Sequence, residues 1–294
     1  MSSPVRRTRP LSRGALLRRA AAALLCLLVL LPLHGCVLGS GPGRTEAQVK
    51  KSPWKLVFAD EFRGGKLNRD RWTDCYWWDD RGCTNSSNEE LQWYRPGNVT
   101  VSGGALHLEA RRQTYRASDG KTYTFTSGMV STGRATDNLK RKPRFAFEYG
   151  RVVARMRMPA GAGLWSAFWM MPVTHKSRPE VDIMEILGHQ PSRLIMHTHW
   201  REDGEKRQKG KKVDGPNTSA GWHRYGLRWT PEQLTWWVDG KQVWKVARDR
   251  IVPDQPMYLL INLAVGGDYP GAPGLATTFP SRFDIDYVRV YQHR

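Results

Sequence analysis

Short runs of alternating apolar and polar residues recur from Trp54 to the end of the chain, and they constrain the fold more than any other feature. Two clear cases are Arg151–Met158 and Leu234–Val238, and the second runs into the turn pair Asp239-Gly240. Alternation with a period of two is typical of half-buried strands, and no helical period is sustained beyond a turn or two. Many short strands without intervening helices predict an all-β fold, a sandwich of two packed antiparallel sheets.

The composition excludes a disordered chain and allows one large domain. Among the 294 residues are 13 Trp, and aromatic side chains make up 11% of the total. That content is far above what a chain unable to bury a core contains. All-β sandwiches commonly reach about 200–250 residues as one unit. We therefore predict one domain over residues 54–294, without an internal repeat.

The first 35 residues predict an export signal. Six arginines and no acidic residue precede an apolar run from Ala20 to Leu33. The run is too short for a membrane-spanning helix, which needs about 20 residues. The sequence Leu33-His34-Gly35-Cys36 that ends this segment resembles a bacterial lipoprotein box, so we predict a signal peptide over residues 1–35 and lipidation of Cys36.

This pattern places the mature protein outside the cytoplasm. His34 departs from the small residue usual in a lipoprotein box, so secretion without a lipid anchor stays open as the alternative to membrane anchoring. Residues 36–53, rich in Gly, Ser, Pro and Lys, predict a flexible tether. Beyond Cys36 the sequence contains two cysteines, Cys75 and Cys83, which are eight positions apart. In an oxidising compartment such a pair predicts a disulfide, with two free thiols as the alternative.

The strong positive charge suggests a nucleic-acid partner, which the rest of the sequence does not favour. The chain has 46 basic and 27 acidic residues, a formal charge of +19. Its basic runs, Arg134–Arg144 and Lys206–Lys212, are interrupted by Asp and Pro or by Gly, and neither contains an aromatic residue. Such runs predict solvated loops, whereas single-stranded nucleic acid is bound by basic grooves with aromatic platforms. We therefore expect no nucleic-acid partner.

Three acids within six positions carry the strongest chemical signal. The segment EVDIMEILG contains them as Glu180, Asp182 and Glu185. On a strand, residues i and i+2 share a face, which groups Glu180 with Asp182 but not with Glu185. One extra residue bulged out between Ile183 and Met184 would bring Glu185 to that face, and such bulges often stand beside active sites.

A bulged strand would space the two glutamates as a retaining glycosidase requires. They would be about four strand steps apart, roughly 13 Å along the backbone, and two side chains leaning together would leave the carboxyl groups about 5 Å apart. Retaining hydrolysis uses a gap of about 5–5.5 Å, whereas inverting hydrolysis needs roughly 6.5–9.5 Å. The alternative for this segment is a helix, in which Val181, Met184 and Leu187 would form an apolar stripe.

Repulsion among three carboxylates on one face predicts that one of them keeps its proton near neutral pH, as a general acid requires. We therefore assign Glu180 as the nucleophile and Glu185 as the acid/base. Asp182 is the middle group, which hydrogen-bonds the nucleophile and tunes its charge.

Six blocks in the same order resemble glycoside hydrolase family 16, specifically its laminarinase-type endo-β-1,3-glucanases. The resemblance covers nearly all of residues 54–294 and includes the E-x-D-x-x-E signature with its bulge. It implies a β-jelly roll of two antiparallel sheets, whose concave face forms the substrate cleft. The blocks are LVFADEF (56–62), NEELQWY (88–94), WSAFWM (165–170) with EVDIME (180–185), YGLRWTPEQLTWWVDG (225–240), LAVGG (263–267) and DYVRVY (286–291).

The resemblance also implies which residues contact the sugar: Trp165, Trp169, His199, Trp200, Asn88 and Arg155. Trp165 and Trp169 lie four apart on one strand and would flank the bound sugar, although core packing is the commoner role of a single tryptophan. His199 would touch substrate beside the catalytic acid, and Trp200 would form a wall of the same cleft. For Arg155 the alternative is a solvated strand face.

Metal sites are expected only in a structural role. The family often carries a calcium ion on its convex side, and Glu61, the backbone of Gly104 and Asp286 match its ligand positions. A zinc site at His197-Thr198-His199 is not expected, because no third ligand has suitable spacing. We expect no cofactor for catalysis.

Together these implications predict a monomeric, retaining, endo-acting glycoside hydrolase. Its polysaccharide substrate would be β-1,3-glucan such as laminarin, or mixed β-1,3-1,4-glucan. One alternative is a hydrolase or transglycosylase of the same fold that acts on another polysaccharide, such as a galactan. The other is a non-catalytic glucan-binding protein, against which the intact set of three acids argues.

Overall fold

The computed structural model describes residues 52–78, 83–174, 176–247 and 250–294. The predicted signal peptide, Cys36 and the tether up to residue 51 lie outside the described residues.

The described residues form sixteen strands and two short 3-10 helices, at Ser86–Asn88 and Pro96–Asn98. None of the helices in these ranges is long and apolar enough to cross a membrane. In chain order the strands are β1 (Trp54–Asp60), β2 (Gln92–Tyr94), β3 (Val99–Ser102), β4 (Ala105–Arg116), β5 (Thr122–Ser127), β6 (Met129–Ser131), β7 (Gly150–Arg157), β8 (Leu164–Pro172), β9 (Glu180–Leu187), β10 (Arg193–Glu202), β11 (Glu205–Asp214), β12 (His223–Thr230), β13 (Gln233–Val238), β14 (Lys241–Ala247), β15 (Met257–Val265) and β16 (Ser281–His293).

These strands form two packed sheets, which confirms the predicted all-β sandwich. In the described part of the chain the larger sheet has ten strands, in the order β14-β13-β12-β7-β16-β4-β5-β2, with β1 joined to β16 and β3 joined to β4. The smaller sheet has six strands there, in the order β11-β10-β9-β8-β15-β6. Strands β8, β9 and β10 are antiparallel neighbours in the middle of the smaller sheet and carry most of the predicted site.

Alternating side chains of both sheets meet in a hydrophobic core. On β7 of the larger sheet Val152 and Met156 point inward, and on β10 of the smaller sheet Leu194 and Met196 do so. Complete burial of a side chain of this size stabilises the fold by about 1.5–3 kcal/mol. Residues of the opposite parity therefore point outward on the larger sheet, as Arg155 does, and into a cleft on the smaller one, as His197 does.

A second, aromatic cluster covers part of the cleft face of the smaller sheet. It includes Trp169 of β8 and Tyr258 of β15. The predicted disulfide between Cys75 and Cys83 is present, with Cα atoms 4.7 Å apart, and it joins this cluster. Closure of so short a loop is worth about 2–3 kcal/mol. It holds the aromatic segment 76–78 beside the cleft.

The two basic runs differ in structure. Residues 134–144 form a loop, as predicted, although Arg134 is buried and donates a hydrogen bond to the carbonyl of Val173 at 2.5 Å. The loop predicted for Lys206–Lys212 is wrong, because this run lies within β11. Ten residue pairs join β11 to β10, and this long pairing holds a polar segment in a strand.

Candidate active site

A bulge in β9 brings the three predicted acids to one face. Phe168 of β8 stands opposite Met184 and the next residue of β8 stands opposite Asp182, which leaves Ile183 as the extra residue. Ile183 and Met184 both point into the core. The acids on either side of them therefore share the cleft face. The predicted strand and its bulge are confirmed, and the alternative helix is not formed.

The acids line a cleft of about 720 Å³. Asp182 and Glu185 are each 5% exposed, while Glu180, at the start of β9, is half-buried. Much of the remaining wall is aromatic, formed by Tyr76, Trp77, Trp78, Trp165, Trp169 and Tyr269. The sequence thus places carboxylates and flat apolar rings side by side in one groove, an arrangement suited to a sugar polymer.

Both predicted platform tryptophans lie in the cleft wall. Trp165 packs edge-on against Tyr269, with ring centroids 5.1 Å apart. Trp169 donates a hydrogen bond from Nε1 to Asn262 Oδ1 at 2.8 Å. The indole N–H of Trp165 is buried and has no hydrogen-bond partner among the described residues.

Two histidines of β10 stand over the acids. His197 and His199 alternate on the strand and therefore share the cleft face. Nε2 of His199 is 3.2 Å from Asp182 Oδ2 and 3.7 Å from Glu180 Oε1. Nδ1 of His197 is 2.8 Å from Glu185 Oε2. The resemblance implies that His199 lies beside the catalytic acid, but the structure places it beside Asp182 and Glu180, and His197 is the histidine that contacts Glu185.

Burial and mutual repulsion keep a proton in the acidic cluster near neutral pH. Burial, followed by the charge of Asp182, raises the pKa of Glu180 to about 7. Burial and the charge of Glu185 also raise the pKa of Asp182. Arg178 Nη1 donates a hydrogen bond to Glu180 Oε2 at 3.0 Å, and its positive charge opposes part of the rise in the pKa of Glu180. Because these acids interact, their protons belong to the cluster as a whole.

The same contacts favour the charged forms of the histidines. Burial, the largest single effect, lowers the pKa of His197, but the hydrogen bond to Glu185 and the charges of Glu185 and Asp182 together outweigh it and raise the pKa. The pKa of His199 is raised in the same way, because the hydrogen bond to Asp182 and the charges of Asp182 and Glu180 together outweigh burial. Each imidazolium therefore balances part of the negative charge of the acids.

A further buried acid, which the sequence analysis missed, holds Asn88 in the cleft wall. Glu90 is 7% exposed and lines the cleft. Its carboxylate accepts hydrogen bonds from Asn88 Nδ2 at 3.1 Å and from Gln92 Nε2 at 2.5 Å. Asn88 is thereby fixed where the resemblance implies a contact with a sugar hydroxyl.

Sequence reasoning also missed the loop residues of the cleft. Arg178 precedes β9, and its position two residues before Glu180 in the sequence could have identified it as a cleft residue. The run Tyr76-Trp77-Trp78 follows a cysteine in a stretch with no strand pattern, and three adjacent aromatic rings cannot all enter one core. The other residues of this kind are Asn85, Ser87, Ser177 and Tyr269, and the strand residues of the cleft that were missed are Ala167, Met171, Gln208, Lys212 and Asn262.

Two residues predicted to bind substrate lie elsewhere. Trp200 follows His199 on β10, so alternation points its ring to the opposite face of the sheet, where it packs against the core. Arg155 stands on β7 in the larger sheet, where it pairs with Asp286 at 2.6 Å and lies over the ring of Trp222. Trp200 is therefore a core residue, and the strand-face alternative for Arg155 is the correct one.

The predicted calcium ligands do not fit a calcium site. Glu61 binds Arg289 through both carboxylate oxygens, at 2.7 and 2.8 Å. Asp286 is paired with Arg155, and Gly104 lies in the turn between β3 and β4. Both carboxylates already have a cationic partner, so a calcium ion would have to displace two arginines.

Another set of side chains is close enough to hold a cation. One ligand atom from each of Asp182, His197 and His199 lies within 4.8 Å of the others. Asp182 supplies the third ligand that the H-x-H motif lacked in sequence, so that reason for excluding a metal was wrong. Both imidazoles also lie within hydrogen-bond distance of carboxylates of the cluster, where they can hold and position protons.

Several known proteins named as glucanases or glycanases are similar to this chain. The model of the family described as "Glycosyl hydrolases family 16" matches residues 89–289. A β-glucanase of Rhodothermus marinus is 33% identical over 310 residues, which cover 97% of this chain and 98% of that relative. An endo-1,3-1,4-β-glycanase of Rhizobium meliloti is 31% identical, over 80% of this chain and 51% of that relative. The X-ray structure of an endo-β-1,3-glucanase from Pyrococcus furiosus has a TM-score of 0.71 and 31% identity, covering 82% of this chain and 95% of that one.

Proposed function

Because this chain belongs to glycosyl hydrolases family 16, we propose that it is a retaining, endo-acting hydrolase of β-1,3-glucan, with mixed β-1,3-1,4-glucan as a second substrate. The observation that carries the proposal is the single face of β9 on which the bulge gathers three acids, inside an aromatic cleft. Relatives named for β-1,3- and β-1,3-1,4-glucan cleavage, at about 30% identity, support this substrate class.

In the proposed first step, a carboxylate oxygen of Glu180 attacks the anomeric carbon. The bond from that carbon to the glycosidic oxygen breaks, and this oxygen takes the proton of Glu185. In the second step ionised Glu185 removes a proton from water, and the water oxygen attacks the same carbon. Glu180 then leaves as a carboxylate. Each step inverts the anomeric configuration, so the product retains it, and one water molecule is consumed.

The contacts around the acids support this division of roles. Arg178, at 3.0 Å, stabilises the ionised form of Glu180 that attack requires. His197, at 2.8 Å, holds the carboxyl group of Glu185 in place. Asp182 lies between the two glutamates in sequence, and its charge opposes the ionisation of Glu180.

The cleft wall supplies the binding surface. Indole and phenol rings cover the apolar faces of sugar rings, and the polar groups among them fix the register. Trp165 contributes its indole ring to this surface. Asn88, held by Glu90, supplies an amide for a sugar hydroxyl.

A panel of polysaccharides tests the proposal. Laminarin, curdlan, lichenan, agarose and carrageenan would each be digested, and product sizes followed over time. Rapid appearance of medium-length oligosaccharides from laminarin supports an endo-acting β-1,3-glucanase, whereas products from agarose or carrageenan alone would favour the galactan alternative. Glu180→Gln and Glu185→Gln should each lower laminarin hydrolysis by several orders of magnitude with unchanged circular dichroism. Binding of laminarin without hydrolysis by the wild type would favour the non-catalytic alternative.

We also propose that the protein acts outside the cytoplasm, anchored through a lipid on Cys36. The proposal rests on the arginine-rich start, the apolar run and the Leu-His-Gly-Cys sequence. Radioactive palmitate fed to expressing cells should label the wild type and not Cys36→Ser. Secretion of unlabelled wild-type protein into the medium would contradict the lipid anchor and favour simple secretion.

A further inference from the structure

The cleft is chemically divided along β9. On the side of β8 and β15 its lining residues are aromatic, apolar or neutral: Trp165, Ala167, Trp169, Met171 and Asn262. On the side of β10 and β11 they are His197, His199, Gln208 and Lys212, with no aromatic residue from these two strands among the described cleft residues. A polymer that crosses the strands therefore passes from an aromatic half into a basic half at the catalytic acids.

Strand pairing fixes which residues of β11 face the basic half. Lys212 stands opposite Ile195, which in turn stands opposite Glu185. Gln208 stands opposite His199 in the same register. Cross-strand partners share a face and neighbouring strands are about 4.8 Å apart. Lys212 therefore lies about 10 Å from the Glu185 row on the cleft face.

The cations of β11 form no ion pair with the residues that the structure describes. Five of its ten residues are Lys or Arg, all of them exposed. None has a carboxylate within 4.0 Å among the residues that the structure describes, and the nearby Asp214 and Glu202 are already paired with Arg193 and Arg250. Lysines on an edge strand also discourage pairing with other chains. That role suits cations on either face, but it does not explain a lysine in the cleft lining.

We propose that the half of the cleft formed by β10 and β11 binds an anionic substituent, a carboxylate or a sulfate, carried by the polysaccharide. The inference rests on the proposed function and narrows its substrate class to acidic β-glucan. Lys212 is the lysine that β11 contributes to the cleft lining. Lys206, opposite Arg201, has the same parity and extends the positive surface along the strand. Gln208 adds a neutral hydrogen-bond donor between them.

The chain offers a matched control on the same strand. Lys206 and Lys212 share the cleft face, whereas Lys209 and Lys211 have the opposite parity. The double variants Lys206→Gln/Lys212→Gln and Lys209→Gln/Lys211→Gln remove the same charge from the same strand. Their difference therefore reports which face the anion occupies, and not the net charge of the protein.

The experiment compares laminarin with carboxymethyl-laminarin and laminarin sulfate of the same chain length and low degree of substitution. Full-length wild type and both double variants are assayed for kcat/KM at about 0.01 M and about 1 M salt, between which the screening length falls from about 30 Å to about 3 Å. Affinity for each polymer is also measured with Glu180→Gln protein, which removes any effect of the substituent on chemistry.

We expect a substituted polymer to be preferred over laminarin at low salt and the preference to disappear at high salt. The ratio of the two kcat/KM values should fall about fivefold in Lys206→Gln/Lys212→Gln and less than twofold in the control. The carboxymethyl and sulfate arms identify the anion. Equal losses in both double variants, or no tighter binding of either acidic polymer than of laminarin, would overturn the inference. Absence of activity on every polymer would instead contradict the proposed function.

Discussion

Replacement of Arg178 by Gln should move the acid limb of the pH–activity profile to higher pH. The nucleophile proposed here, Glu180, must be ionised to attack, and its pKa of about 7 is already above the ordinary value of 4.5. Arg178 is a cation that lowers this pKa. Its removal should raise the pKa further, so more of the enzyme is protonated, and inactive, at a given pH below the limb.

The magnitude follows from the geometry of the pair. The guanidinium nitrogen lies 3.0 Å from the carboxylate oxygen of Glu180, and both side chains are 20% exposed. A cation at such a distance lowers a carboxyl pKa by about 1–3 units, and partial exposure favours the lower end. An upward shift of about one unit is expected, which lowers kcat/KM about tenfold on the acid side of the limb. On the alkaline side the loss should be smaller.

The assay is kcat/KM on laminarin across pH 4–9 at constant ionic strength. Lys176→Gln is the control, because Lys176 is an exposed cation two positions away and its loss changes the net charge equally. An unchanged limb in Arg178→Gln, a shift to lower pH, or the same shift in the control would show that Arg178 does not set the ionisation of the nucleophile.

Three other variants test separate parts of the structure. Trp165→Ala should raise KM for laminarin about tenfold or more with little change in thermal stability, whereas the core variant Trp200→Ala should lower thermal stability with little change in KM. Equal changes of KM and stability in the two variants would contradict their placement on opposite faces. Gly210→Ala should lower kcat without unfolding the protein, because its Cβ would overlap the ring of His197; wild-type kcat would show that the ring position is unimportant. Glu180→Gln should be more stable than the wild type above pH 7, by up to about 3 kcal/mol, and nearly equal at pH 4 in urea unfolding. The sign follows because the pKa of Glu180 is higher in the folded protein than its ordinary value. The contribution of Glu180 to stability is therefore complete below pH 4.5 and is lost as the pH rises through about 7. A stability difference between the two proteins that did not depend on pH would contradict the raised pKa.

The general fold and the acidic cluster could be predicted because both depend on local alternation. A strand of period two assigns each residue a face, and the fixed offset between Asp182 and Glu185 required one bulged residue, which proved to be Ile183. The same rule could have placed Trp200 correctly, since it follows His199 directly. The prediction failed there because the resemblance was transferred along a block of neighbouring residues without attention to parity.

The features that could not be predicted depend on contacts between segments far apart in sequence. Arg155 and Asp286 are 131 positions apart and neutralise each other across two strands. No local pattern reveals such a pairing, so a carboxylate that matches a calcium position could not be recognised as already occupied. The run Lys206–Lys212 was mistaken for a loop for a similar reason, because its strand structure comes from pairing with β10 and not from its own residues.

The central claim is that Glu180 and Glu185 act together by double displacement, and the anomeric form of the first product tests it most directly. Laminarin hydrolysis would be followed by proton NMR from the first seconds, before mutarotation equilibrates the new reducing ends. With double displacement, the β-anomer appears first and the α-anomer only later. Initial release of the α-anomer would show an inverting reaction and contradict the assignment of Glu180 as the nucleophile.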